Sequence, residues 1–290
     1  METRRGGRVA VSTGACFLPN PDTLTLHNVR RLGGGPTRLL FAHGFGCDQT
    51  IWRLVAPLLA RDHEVILFDH VGAGDATAPY DARRHGRLDG YAEDVLGICQ
   101  ALGPEQLVYV GHSVSASIGV LAAAKAPAHF AKLVLLNPSP RYIDDGDYVG
   151  GFSAEDIEAL LGLLQADQDG WAAAMAPAVA GNPDRPELAE EMAGRFCRMD
   201  PAVAVGFART TFTSDNRADL ARVPTRTLVL QCRDDSIAPP SVGAFVSAQL
   251  PDAVLVTLEV SGHCPHLSAP EETVAAIRSF LADPGQPCLI

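Results

Sequence analysis

The stretch VYVGHSVSASIGVLAAA, residues 108–124, passes from β-branched residues through Gly111 and Ser113 into a run of small helix formers. Its pattern predicts a buried strand over 106–110, a tight turn and then a helix over 115–126. A strand that turns this sharply into a helix forces the residue at the turn, Ser113, into a strained backbone conformation and lifts its side chain clear of the sheet edge. The flanking residues must then be small. Gly111 and Ser115 meet that demand, and Ala116 and Gly119 let the helix approach the sheet closely. The spacing departs from G-x-S-x-G at its last position, where Ser115 adds a Cβ and a hydroxyl. Taken alone, the turn suits a nucleophilic serine and a structural one equally well.

Apolar, β-branched runs recur on both sides of it: TRLLFA (37–42), EVILFD (64–69), KLVLLN (132–137), TRTLVLQ (225–231) and VLVTLE (254–259). Helical spacing fills 50–60, 88–102, 240–249 and 270–282 between them. Short buried strands alternating with helices predict an α/β fold, with a mainly parallel sheet covered on both faces. LTLHNVR (24–30) is a candidate antiparallel edge strand. One interval breaks the alternation: between KLVLLN and TRTLVLQ the helical patterns near 153–165, 169–180, 186–198 and 201–212 follow one another without a strand. So long a gap inside a sheet reads as an inserted helical cap rather than a loop. The expected division is a core over 23–140 and 222–283, a cap over 141–221, a disordered extension over 1–22 and a flexible tail over 284–290. For the extension, an organelle transit peptide is the alternative.

Composition narrows the function. With 47% hydrophobic and 20% charged residues in 290, the chain is expected to bury a large core and not to be disordered. No apolar run reaches the roughly 18 residues of a membrane span. The formal charge of −11 disfavours nucleic acid and anionic membrane as partners. Seven scattered cysteines without a C-x-x-C pair suggest free thiols in a reducing cytoplasm. Cys288 stands third from the end, not fourth as prenylation requires.

A serine hydroxyl needs a base within hydrogen-bonding reach, and the base needs an orienting carboxylate. Behind a strand-turn-helix serine these partners follow in the order acid, then histidine. VSGHCPHLSAP (260–270) offers His263, at the mouth of the loop leaving VLVTLE, and His266, deeper in the loop and expected to be structural. CRDDSIAP (232–239) offers Asp234 and Asp235 at the carboxyl end of its strand. Chain order does not separate these neighbours; Asp235, with Pro239 closing the turn, is the expected acid. A metal site at His263, Cys264 and His266 lacks a further ligand nearby, and neither metal nor cofactor is expected. The amide of Val114 and one from HGFGCDQTIW (43–52), expected to be that of Phe45, would stabilise an oxyanion. GAGDAT (72–77) and DDGD (144–147) resemble nucleotide and calcium loops but lack the required spacing.

With these parts in this order, the sequence resembles the α/β-hydrolases, and within them the branch holding the bacterial stress-response regulator RsbQ and the plant karrikin and strigolactone receptors. HGFGCDQTIW, LDGYAEDVL, GHSVSASIGVLA, SPRYIDDGDYVGGF, NPDRPELAEEMAGRFCRMDP, LQCRDD and GHCPHLSAPEET carry the resemblance, from about residue 24 to 282. It implies a Ser113, Asp235, His263 triad, oxyanion donors at Phe45 and Val114, and four cap helices over a closed apolar pocket. It also places Phe45, His112, Phe152, Trp171, Met175, Phe196 and Phe212 in that pocket, with plain core packing as the alternative for each. The implied activity is slow hydrolysis of a small hydrophobic ester or lactone. The implied partner is a regulatory protein, phosphatase-like in the bacterial case, on the cap surface; a plain metabolic esterase is the alternative.

Overall fold

The computed structural model describes residues 22–283. The tail expected over 284–290, the extension up to residue 21, Cys16 and Cys288 lie outside the described residues. Seven strands, β1 (Arg30–Gly33), β2 (Arg38–Ala42), β3 (Glu64–Leu67), β4 (Leu107–His112), β5 (Phe130–Leu136), β6 (Thr227–Asp234) and β7 (Ala253–Ser261), form one sheet in the order β1-β3-β2-β4-β5-β6-β7. Only β1 runs antiparallel to its neighbour.

Helices of ten residues or more are numbered here: α1 (Leu88–Leu102), α2 (Val114–Lys125), α3 (Ala154–Ala166), α4 (Gln168–Ala180), α5 (Pro186–Phe196), α6 (Pro201–Phe212), α7 (Pro240–Gln249) and α8 (Pro270–Ala282). The central strands are mostly apolar because both faces are covered. Leu39, Phe41, Val108, Val110, Val134 and Leu136 point into one apolar layer, with Ile277 and Phe280 of α8. Leu40, Ala42, Tyr109, Leu133 and Leu135 point into the other, with Val95 and Ile98 of α1, Ile118 of α2 and Val246 of α7. Each fully buried aliphatic side chain contributes about 1.5–3 kcal/mol.

The helices α3 to α6 follow one another between β5 and β6, and their ends carry local signals. Ser153 and Asp156 form a capping box at the start of α3, Asp167 caps α4, and Asp200 accepts from Ala202 and Val203 at the start of α6. Gly181 ends α4 in the left-handed conformation.

Two expectations at the amino end need correction. LTLHNVR does not form the edge strand: Asp22–Leu26 is a helical turn, closed by Asn28 at φ 48°, and the edge strand begins at Arg30. Asp22 thus belongs to a structured element and not to the extension.

The chain order reverses beside β2: β3 lies on one side of it and β4 on the other. Open parallel sheets bind ligands at such a switch, beyond the carboxyl ends of the strands. The register sets Ala42 opposite Gly111, so β2 and β4 end side by side.

Candidate active site

Ser113 occupies the turn between β4 and α2 at φ 57°, ψ −124°. A non-glycine residue there costs on the order of 1–3 kcal/mol, which the surroundings must supply. The Ser113 N–H donates to Leu136 O at 2.9 Å, and its carbonyl accepts from Ala116 at 2.8 Å. Small neighbours are obligatory: a Cβ on Gly111 would lie 2.5 Å from Ser115 O, and one on Gly119 would lie 2.3 Å from the Tyr109 ring.

The Ser113 Oγ lies 2.8 Å from His263 Nε2, and His263 Nδ1 lies 2.7 Å from Asp235 Oδ2. All three residues are buried. With the Nδ1 proton held by the carboxylate, Nε2 is left to accept the serine proton. The other Asp235 oxygen accepts the amides of Ile237 at 2.8 Å and Ala238 at 3.1 Å, which fixes the carboxylate. An irregularity in the β6–β7 register between Cys232 and Asp234 precedes it, just before the strand ends at Asp234. Asp234 faces elsewhere: its carboxylate is exposed and meets Arg233 and Ser261.

His263 follows Gly262, whose φ of 92° suits glycine. Its amide donates to Val179 O of α4 at 2.9 Å, tying the loop to that helix. Its carbonyl accepts from His112 Nε2 at 2.8 Å and Asn137 Nδ2 at 2.9 Å. Burial, followed by the nearness of His263, pushes the His112 pKa down to about 3, so its ring stays neutral.

The loop after β2 crosses close to the turn. A Cβ on Gly44 would lie 2.7 Å from His112 Nδ1 and 3.3 Å from Ser113 Cβ. The amides of Phe45 and Val114 donate no backbone hydrogen bond among the described residues; Val114 is the first residue of α2, whose amide has no partner within the helix. Phe45 packs edge-on against Trp171 at 5.7 Å and Phe212 at 5.9 Å between ring centres.

A cavity of about 30 Å³ stands over Ser113 and His263, walled by Phe45, His112, Trp171, Met175, Phe196 and Phe212 among others. Of the residues expected to line it, Phe152 does not. It bridges to Ile143 and lines an adjoining surface groove of about 570 Å³ that shares Met175 and Ile237 with the cavity. The cavity instead takes in Tyr142 and Ile237, which the sequence reading missed. Tyr142 Oη lies 3.4 Å from Ser113 Oγ. Asn137, at φ 44°, was missed too; besides holding the His263 carbonyl, its Oδ1 accepts the Cys232 amide at 2.8 Å. Irregular loops deliver all of these, and loops carry no periodic signal.

His266 is fully buried, its ring 4.6 Å from Trp52 and 4.5 Å from His112. The grouping with ligand-type atoms within 4.8 Å of one another is His112, Cys264 and His266, with His263 engaged by serine and aspartate. The thiols of Cys47, Cys99, Cys197, Cys232 and Cys264 are free. Burial pushes the Cys47 thiol, beside the cavity, up to about 12, far from a nucleophile's range. GAGDAT is a turn wrapped on Asp69: a Cβ on Gly74 would meet the Asp69 carboxylate at 2.4 Å. Among the described residues no helix is long and apolar enough to cross a membrane.

Residues 39–277 match the model of the alpha/beta hydrolase family. The chain is 38% identical over 256 residues to strigolactone esterase D14 of Arabidopsis thaliana, covering 88% of this chain and 96% of the relative. It is 36% identical over 253 residues to the karrikin insensitive 2 receptor CA of Petunia hybrida, covering 87% and 94%. A solved hydrolase from Oleispira antarctica superposes with a TM-score of 0.87 at 37% identity, covering 90% of this chain and 96% of that one.

Proposed function

The chain belongs to the alpha/beta hydrolase family, and from that premise we propose that it cleaves a small hydrophobic ester or lactone through an acyl-enzyme on Ser113. The observation that carries this reading is the buried line of hydrogen bonds from Ser113 Oγ through the His263 imidazole to Asp235, 2.8 and 2.7 Å long, opening on an apolar cavity.

Each group has one role. Ser113 Oγ attacks the carbonyl carbon while its proton passes to His263 Nε2, and the Asp235 carboxylate stabilises the imidazolium. The oxyanion that forms takes hydrogen bonds from the amides of Phe45 and Val114. Collapse of this tetrahedral species breaks the bond to the alcohol oxygen, which receives the proton from Nε2. Water then attacks the acyl-serine with the same base, releasing the acid and restoring Ser113. In a lactone the alcohol remains tethered to the acyl group until that second step. His112, neutral and hydrogen-bonded to the His263 carbonyl, orients the base and takes no proton.

Trp171 and Phe196 form the walls of the cavity, 5.1 Å apart and edge to face. Truncating either to Ala is expected to raise the Kd of an unreactive apolar ester analogue about tenfold or more, by losing one wall of contact. Titration calorimetry, corrected for the folded fraction, checks this. If stability falls while affinity per folded molecule holds, the two rings serve only the core.

A second role, sensing a ligand, is favoured by the relatives named as receptors and by the size of the cavity. About 30 Å³ holds little more than a water or two. A substrate therefore has to shift the helices over it, and a cap surface that changes with ligand is what a regulatory partner reads. The loop before α3 offers Val149, 53% exposed. On this reading kcat lies below the enzyme median of about 10 s⁻¹. A pull-down with and without ester, using wild type, Ser113→Ala and Val149→Glu, should recover a ligand-dependent partner that Val149→Glu loses. Fast turnover without such a partner leaves a metabolic esterase.

A further inference from the structure

Ser115 stands where the strand-turn-helix serine motif has glycine, and it is fully buried. A buried hydroxyl without partners costs about 1–3 kcal/mol, so its surroundings must answer for it. They do so through two histidines from other loops. Ser115 Oγ donates to the His43 carbonyl at 2.5 Å. Its only proton being used there, it accepts from His70 Nε2, 2.7 Å away. The His70 amide in turn donates to His43 Nε2 at 3.1 Å, which leaves the proton of the His43 ring on Nδ1, facing Gly44 O at 2.9 Å. The tautomers are mutually consistent: His70 carries its proton on Nε2, and its bare Nδ1 is the atom without a partner. Burial holds both imidazoles neutral.

The result is a closed ring of three hydrogen bonds joining the loop after β2, the loop after β3 and the first turn of α2. The loop after β2 carries Phe45, two residues beyond His43, and α2 begins with Val114, one residue before Ser115. The two amides assigned to the oxyanion therefore sit on the two segments that the ring clamps together. Edge contacts of the His70 ring with Tyr91 at 5.8 Å and Phe207 of α6 at 6.2 Å brace it from behind.

Resting on the hydrolase reading above, we infer that Ser115 and His70 are positioning residues for the oxyanion-binding amides, holding the Phe45 loop against the nucleophile turn by hydrogen bonds where the usual glycine would leave the spacing to packing. Neither residue touches the substrate. A displacement of an oxyanion donor by a fraction of an ångström to an ångström costs up to about a hundredfold in rate, and complete loss of one costs about 10²–10³.

The test compares Ser115→Ala, Ser115→Gly, His70→Phe and the double variant Ser115→Ala/His70→Phe. Each is assayed for hydrolysis of a short-chain aryl ester and for binding of an alkyl boronic acid, which forms a tetrahedral adduct on a serine oxygen. Each single variant should lower kcat by about tenfold to a hundredfold with KM little changed. Boronate affinity should fall by the same factor, while affinity for the ether analogue of the ester holds. Because the two residues act through one ring, the double variant should be about as slow as the slower single variant. Ser115→Gly guards against misfolding, since glycine fits the turn without strain, and it should be as slow as Ser115→Ala. Full activity in Ser115→Gly, or a fall in kcat without a matching fall in boronate affinity, overturns the positioning role. Failure of the hydrolase reading has another signature: wild type and Ser113→Ala would turn the ester over equally and neither would bind the boronate, which overturns both.

Discussion

Ser113→Ala is expected to lower kcat for a short-chain aryl ester by about 10⁴-fold or more, since the residues of a nucleophile-base-acid set act as a unit and little chemistry survives loss of the attacking oxygen. The geometry leaves no substitute. Cys47 and Cys264 border the same cavity, but burial holds both thiols protonated, Cys264 well above the ordinary range and Cys47 near 12. Tyr142 Oη is 3.4 Å from the serine oxygen, and burial raises its pKa as well. The alanine protein should still fold and bind an unreactive ester analogue, because Ser113 makes its structural hydrogen bonds through the backbone. Stopped assays on protein purified free of host esterases check the value, and retention of most activity would sink the mechanism.

Asp235→Asn should cost on the order of 10⁴ in turnover, and Asp234→Asn much less. The asparagine amide at 235 would present a donor to His263 Nδ1 and favour the tautomer whose Nε2 already carries the proton, so the base could no longer accept one. Its other side-chain atom would still meet the Ile237 and Ala238 amides, so the fold should survive. Asp234 is exposed and paired with Arg233. An ion pair of that kind contributes about 0–1 kcal/mol to stability and nothing to the tautomer. Steady-state kinetics on both variants would decide it; the reverse ranking would mean that the wrong carboxylate has been assigned.

Much of this was legible in the sequence because the physics is local. The central strands are mostly apolar since both faces are covered, and helices α3 to α6 fall within a few residues of their expected ends because Ser153, Asp167, Gly181 and Pro201 mark them. The edge strand was misplaced for the complementary reason. All four residues of β1 are exposed, so no alternation betrays it, and the preceding residues Asp22–Leu26 form a helical turn. The order serine, acid, histidine was readable along the chain, whereas the choice between Asp234 and Asp235 depended on which of two adjacent side chains points inward. An irregularity in the strand register just before the pair sets which way each points, and it leaves no mark in composition. Phe152, Tyr142 and Ile237 show the same limit for the cavity wall. His43 and His70 lie 27 residues apart and meet only through the packing of two loops over the sheet edge.

The central claim is a covalent acyl intermediate on Ser113, and its most direct measurement is intact-mass and peptide-mapping analysis of the protein after brief reaction with a fluorophosphonate ester. The reagent's phosphorus is attacked as the carbonyl carbon would be, fluoride leaves, and the adduct is too slow to hydrolyse. The account predicts one added phosphonyl group per chain, located on the peptide containing Ser113 and absent from Ser113→Ala. An adduct on another residue, or undiminished ester turnover in protein fully phosphonylated at Ser113, would contradict it.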